Sequence, residues 1–147
     1  MNREILFRGK NKITGKWDYG FLLISKEGLY SILMPDSGQA SEVDPETVGQ
    51  YTGLTDKNGN KIFEGDILKG FDYPYLYNDN FNYFVEVMWF DNCPAFGIYT
   101  FKSPESKVTG NSEGITEFMD EWCSSQWEVI GNIHDNPELL KKESETT

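Results

Sequence analysis

The segment Val48-Gly49-Gln50-Tyr51-Thr52-Gly53-Leu54-Thr55-Asp56-Lys57-Asn58-Gly59-Asn60-Lys61-Ile62-Phe63-Glu64-Gly65-Asp66-Ile67 constrains the fold more than any other stretch of the chain. Glycine interrupts it repeatedly, and Asn58-Gly59 is a strong short-range hairpin signal because both residue types tolerate the positive φ that tight two-residue turns require. Glu64-Gly65-Asp66 is a second turn, and it leads into a short strand at Ile67 and Leu68. A segment of this kind builds a small β domain and supplies no recognisable catalytic centre.

The same reading extends in both directions. Ile5 and Phe7 begin a strand that stops at Gly9, and Asn11 to Gly15 suits a turn. Trp17, Tyr19, Phe21 and Leu23 then recur at period two, the spacing that lets a sheet bury one side. Glu27-Gly28 turns the chain into Leu29 to Met34, giving a three-strand meander. Pro35 to Ser41 is polar and turn-like. Asp44-Pro45-Glu46-Thr47-Val48 reads as one helical or 3₁₀ turn, with Asp44 as cap and Pro45 where its missing N–H costs nothing.

Downstream, Phe84 to Phe90 alternates as a strand, Asp91-Asn92 turns, and Phe96 to Phe101 is its partner. Ser103 to Gly114 is a polar connection. Ile115, Phe118, Met119 and Trp122 fall at i, i+3, i+4 and i+7, which predicts a short helix capping the open side of the sheet. Glu117, Asp120 and Glu121 would face solvent. Trp127 to Ile133 is the last strand, Asn136 to Leu140 a capped turn, and a polar tail frays from about 141. The expected fold class is therefore all-β with one short capping helix, in a single domain over 1–147.

A chain of 147 residues is long enough for one real core. Its charge is lopsided: residues 1 to 70 carry nine basic and ten acidic side chains, residues 71 to 147 four and fourteen, and the net is −11. Such a surface repels phosphate backbones, so direct nucleic-acid binding is disfavoured, whereas a basic protein partner is favoured. Burial of apolar surface can outweigh that repulsion locally, which leaves a homo-oligomer open. The first 26 residues hold six Lys or Arg against two acids, a pattern that reads as solvated surface. Cys93 and Cys123 match no zinc or redox spacing. No apolar leader is present at the N-terminus, and no apolar run approaches the length that crosses a bilayer. A cytoplasmic protein without a membrane association is expected.

Few residues offer chemistry. Asp56-Lys57-Asn58-Gly59-Asn60-Lys61 starts like a calcium loop, but the sixth position, where glycine is needed, is Lys61, and the twelfth, where glutamate is needed, is Ile67. His134 is the only histidine, so no two-histidine metal cluster can form within one chain. Acid–base work by His134 with Glu64 or Asp66 is the enzymatic alternative. There is no phosphate loop, dinucleotide fingerprint or nucleophile elbow, and neither a cofactor nor a metal is expected. Phe71, Tyr73, Tyr75, Tyr77, Phe81 and Tyr83 form an aromatic excursion. If exposed together they would make a binding surface for a host or phage protein; otherwise they complete the core or a subunit contact.

Three motifs in order carry a family resemblance: Arg3-Glu4-Ile5-Leu6-Phe7-Arg8-Gly9-Lys10 with Trp17-Asp18-Tyr19-Gly20; the Val48 to Ile67 segment; and Val129-Ile130-Gly131-Asn132-Ile133-His134-Asp135-Asn136-Pro137-Glu138-Leu139-Leu140. Over roughly residues 3 to 140 the chain resembles the YopX family. The resemblance implies a phage or prophage origin and an all-β pseudo-barrel capped by a helix, with some similarity to the PRC-barrel. It implies no catalytic residue set. The functional expectation is a non-enzymatic protein-interaction module of the bacterial cytoplasm. The alternatives are an acidic DNA mimic that regulates a nucleic-acid-processing protein, and an enzyme using His134 with Asp66 or Glu64.

Overall fold

The computed structural model describes residues 3–70, 83–102, 116–121 and 126–140. The chain divides into two compact units, Met1–Gly53 and Leu54–Thr147.

In the first unit β1 (Phe7–Lys10), β2 (Trp17–Ile24), β3 (Tyr30–Leu33), β4 (Ala40–Glu42) and the start of β5 (Gly49–Thr55) form an antiparallel sheet in the order β4-β3-β2-β1-β5. Turn chemistry sets its corners. Asn11 Oδ1 accepts from the Ile13 and Thr14 amides at 2.8 and 3.2 Å, and Gly15 takes the left-handed φ that follows. Asp44 caps the 3₁₀ turn Pro45–Thr47 by accepting from Glu46 N at 3.1 Å, as its sequence predicts. Thr47 Oγ1 then accepts from Lys10 N at 2.8 Å and donates to Asp44 O at 2.7 Å, tying the turn to β1.

One expectation reverses in this unit. The period-two row of β2 points outward: Tyr19, Phe21 and Leu23 are 45, 49 and 46 % exposed, while Ile32 and Val43 are fully buried against the other face. The cause is close approach of backbone on the inner side. A Cβ on Gly9 would meet Val43 Cγ2 at 2.9 Å, and one on Gly20 would run into the Leu33 carbonyl. The inner face at these positions admits only glycine, so the large rings of β2 take the outer one.

In the second unit the end of β5 turns into β6 (Lys61–Phe63), followed by β7 (Asp66–Gly70), β8 (Tyr83–Phe90), β9 (Ala95–Lys102), β10 (Thr116–Phe118), β11 (Glu128–Asn132) and a 3₁₀ turn at Pro137–Leu140. The sheet order is β10-β9-β8-β7-β11, antiparallel throughout. Along β8, Tyr83, Val85 and Val87 face the core, with Val85 opposite Leu68 and Val87 opposite Ile98. These residues, Ile62 and Trp127 make one buried cluster, against which Met119 and Val129 pack. Gly70 lies under the Trp127 ring, with room for no side chain.

The β5–β6 turn is built on Asp56. Gly59 N donates to Asp56 O at 3.0 Å and Gly59 has φ +81°, a type I turn closed by a left-handed glycine in place of a two-residue turn. The Asp56 side chain is buried (4 % exposed). Its Oδ1 accepts from the Asn58 and Asn60 amides at 2.9 and 2.8 Å, and its Oδ2 from Asn60 Nδ2 at 3.3 Å and from Val129 N, on β11, at 3.0 Å. Lys57 N donates to Trp127 O at 3.0 Å beside it. One carboxylate thereby fixes a local turn and clasps it to the last strand.

Two expectations are corrected. The Ile115–Trp122 stripe does not form a capping helix: Thr116–Phe118 is a strand, with Thr116 opposite Tyr99, Glu117 opposite Ile98 and Phe118 opposite Gly97. A helix of that length is marginal alone, and the edge of β9 satisfies the backbone groups instead. Among the described residues of this region helical backbone occurs at Glu121 and Gln126, and Ile115 and Trp122 lie outside the described residues. Nor does a closed pseudo-barrel form. Among the described residues there are two open antiparallel sheets, and β10 and β11 stand at opposite edges of the second. An isolated bridge, Asn11 to Val43, draws the end of β1 towards the residue after β4 without making a continuous ladder.

Burial raises the Asp56 pKa, but the donors from Val129, Asn60 and Asn58 outweigh it and hold the carboxyl below its ordinary 3.8. The stabilisation is therefore full above that value and is lost as pH falls through the lower folded-state value. Asp56→Ala is expected to cost about 3 kcal/mol or more, since charge-assisted bonds are lost and buried amides are left unpaired. Urea titrations should also show a flatter acid dependence for Asp56→Asn than for wild type. Gly20→Ala is expected to cost at least about 1–3 kcal/mol by overpacking in the same assay.

Candidate functional site

The calcium-like start at Asp56 is a turn scaffold. Every acceptor direction described above points at an N–H, so the carboxylate has no oxygen to offer a cation. Among the described residues no group of three or more His, Cys, Asp or Glu converges as a metal site would.

The enzymatic alternative named His134, Glu64 and Asp66, and the β7–β11 ladder does bring these positions to one end of the sheet. Asn132 stands opposite Asp66, and Ile133 N donates to Gly65 O at 2.9 Å. The side chain of Asp66 is committed to structure. It is 2 % exposed and its Oδ2 accepts from Phe63 N at 2.8 Å, closing the Glu64-Gly65 turn in which Gly65 has φ +90°. Gly65 N donates to Val87 O at 2.8 Å, which pins this turn to β8.

The closing motif around His134 is an interlocked pair of asparagines. Asn132 Oδ1 accepts from His134 N at 3.0 Å and Asp135 N at 2.8 Å, while its Nδ2 donates to Asp135 Oδ2 at 3.1 Å. Asn136 Oδ1 accepts from Asn132 N at 3.2 Å, and Asn136 N donates to Asn132 O at 2.9 Å. Gly131 has no side chain because the Asn136 amide occupies that space. The spacing Gly131-Asn132…Asp135-Asn136-Pro137 is thus explained by turn closure.

Of the aromatic excursion, Phe71, Tyr73, Tyr75, Tyr77 and Phe81 lie outside the described residues. Tyr83 is 5 % exposed and belongs to the core cluster. Cys93 is an exposed free thiol.

Sequence reasoning missed the face of the second sheet that bears Glu86. On β8, Phe84, Glu86, Met88 and Phe90 occupy the side opposite the Val85–Val87 cluster, and Glu86 is flanked by Ile67 of β7, itself fully buried, and by the partly exposed Tyr99 of β9. Rings pair along this face: Phe84 with Phe101 at 6.3 Å, and Phe90 with Phe118 of β10 at 6.0 Å in an edge-on contact, with the Phe90 ring over Gly97. Lys69 Nζ sits 5.8 Å from the Phe84 centroid. Glu86 is half-buried, and among the described residues its carboxylate has no hydrogen-bond or ion-pair partner. Desolvation raises its pKa above 4.5. The available signal was one carboxylate inside Phe84-Val85-Glu86-Val87-Met88-Trp89-Phe90, where a solvated face would carry several polar residues.

No curated protein matches the chain. Among solved structures it is similar to the crystal structure of protein EF1440 from Enterococcus faecalis, at 25 % identity and a TM-score of 0.50, over 95 % of this chain and 100 % of that one. The family model described as YopX protein matches residues 6–141, which takes in the second and third motifs and all of the first but Arg3-Glu4-Ile5. On that match, over nearly its whole length, the chain belongs to the YopX family.

Proposed function

We propose that this protein is a non-enzymatic protein-interaction module of phage or prophage origin, acting in the bacterial cytoplasm, and that its first partner is a second copy of itself. The observation that carries the reading is the outward row Tyr19, Phe21 and Leu23 on β2, all exposed. An apolar row of this size on one sheet face is characteristic of contact surfaces. The polar side chains with most chemical potential support the same reading, because Asp56, Asp66, Asn132 and Asn136 are engaged by backbone amides.

Charge favours a copy of this chain as the occupant. Residues 1–53 carry six basic and seven acidic side chains, whereas residues 54–147 carry seven and seventeen. Two copies meeting through the nearly neutral unit bury apolar surface at the place where their mutual repulsion is least. The acidic second unit also supports a DNA-mimic reading, which requires binding to a basic protein that weakens steeply with salt.

Sedimentation velocity across about a hundredfold range of concentration tests the self-association, which mass action should reveal. Wild type is expected to shift to a larger species, and Phe21→Asp to remain a monomer with unchanged circular dichroism. A wild type that stays monomeric throughout, or a Phe21→Asp variant that associates equally well, overturns it.

A further inference from the structure

We propose that the β8–β9–β10 side of the face of the second sheet that bears Glu86, Tyr99 and Phe84 is a docking site for an arginine-bearing basic segment of a partner protein. This goes beyond self-association through β2 and rests on a different unit of the chain.

A carboxylate removed from water is costly unless a cation or several donors compensate it. Glu86 has Ile67 and Tyr99 across the strands and Phe84 and Met88 along its own strand, and no described group supplies that compensation. An incoming cation would do so. The rings around it are suited to the same ligand, since an aromatic face attracts a cation. That chemistry is already present on this face, where Lys69 lies over the Phe84 ring.

Three features favour arginine within a chain over a small free amine. The guanidinium is planar, bonds a carboxylate through two parallel N–H groups and stacks on rings, none of which an ammonium does as well. The face continues past Glu86 through Tyr99 to Thr116 and Phe118 of β10, with Tyr99 36 % and Phe118 58 % exposed. Three strands at roughly 4.8 Å spacing are wider than one side chain can cover. The field is also right: seventeen acids against seven bases over residues 54–147 attract a basic segment and orient its approach.

The test uses the full-length protein and two fluorescein-labelled octapeptides, one of alternating glycine and arginine and its glycine–lysine counterpart, followed by anisotropy at about 0.15 M salt. Wild type is expected to bind the arginine peptide more tightly than the lysine peptide. Glu86→Gln should weaken the arginine peptide roughly ten- to a hundredfold, the equivalent of a lost charge-assisted hydrogen bond. Tyr99→Ala should weaken it severalfold. Glu86→Gln removes a desolvated charge, so its melting temperature at neutral pH should equal or exceed that of wild type, which separates lost binding from lost fold. Phe21→Asp should bind the arginine peptide as wild type does, so that failure of the self-association reading is distinguishable from failure of this one. Equal affinity for the two peptides, or an arginine-peptide affinity unchanged by Glu86→Gln, would mean attraction to bulk negative charge only and overturns the proposal.

Discussion

A single buried carboxylate does most to organise the second unit. Asp56 accepts from the amides of its own turn and from Val129, a residue 73 positions away, so one side chain satisfies local and long-range donors together. The arrangement explains why the turn is an aspartate followed by Asn58-Gly59-Asn60. Asp56 supplies the acceptors, Gly59 supplies the left-handed backbone, and Asn60 contributes both a main-chain and a side-chain donor. With the turn held, Ile62 enters the core beside Leu68 and Trp127. The same logic recurs at Asp66 and at Asn132 with Asn136. Each of these polar residues closes a turn where strands end, and each leaves few unpaired amides behind.

The two units handle apolar surface differently. In the second, alternation along β8 places one row in a core and leaves the other row bearing rings and one carboxylate. In the first, Gly9 and Gly20 let backbones approach so closely that the interior is filled by Ile32 and Val43, and the large residues of β2 go outside. Both exposed faces cost solubility, and the heavy negative charge of the chain offsets that cost. This is the physical basis of the proposed interaction role.

Much of the strand order was legible along the chain because its signals are local. Asn11, Asp44-Pro45 and Asn58-Gly59 each act through hydrogen bonds or φ values within about four residues. Two features escaped. The stripe from Ile115 has helical spacing, yet Thr116–Phe118 pairs with β9, because a short apolar run takes whichever backbone partner the tertiary structure offers. Glu86 looked like an ordinary polar position in an alternating strand. Its environment depends on Tyr99 and Ile67, which come from other strands.

From residue order alone came the all-β class, the positions of most turns and the membership signalled by three ordered motifs, since each is encoded in residues that are neighbours along the chain. Only the tertiary structure decided which face of β2 turns inward, whether 116–118 coils or extends, and that Asp56 reaches Val129. Those outcomes rest on backbone approach and strand pairing between distant segments, and period-two spacing is the same whichever side of a sheet becomes the core.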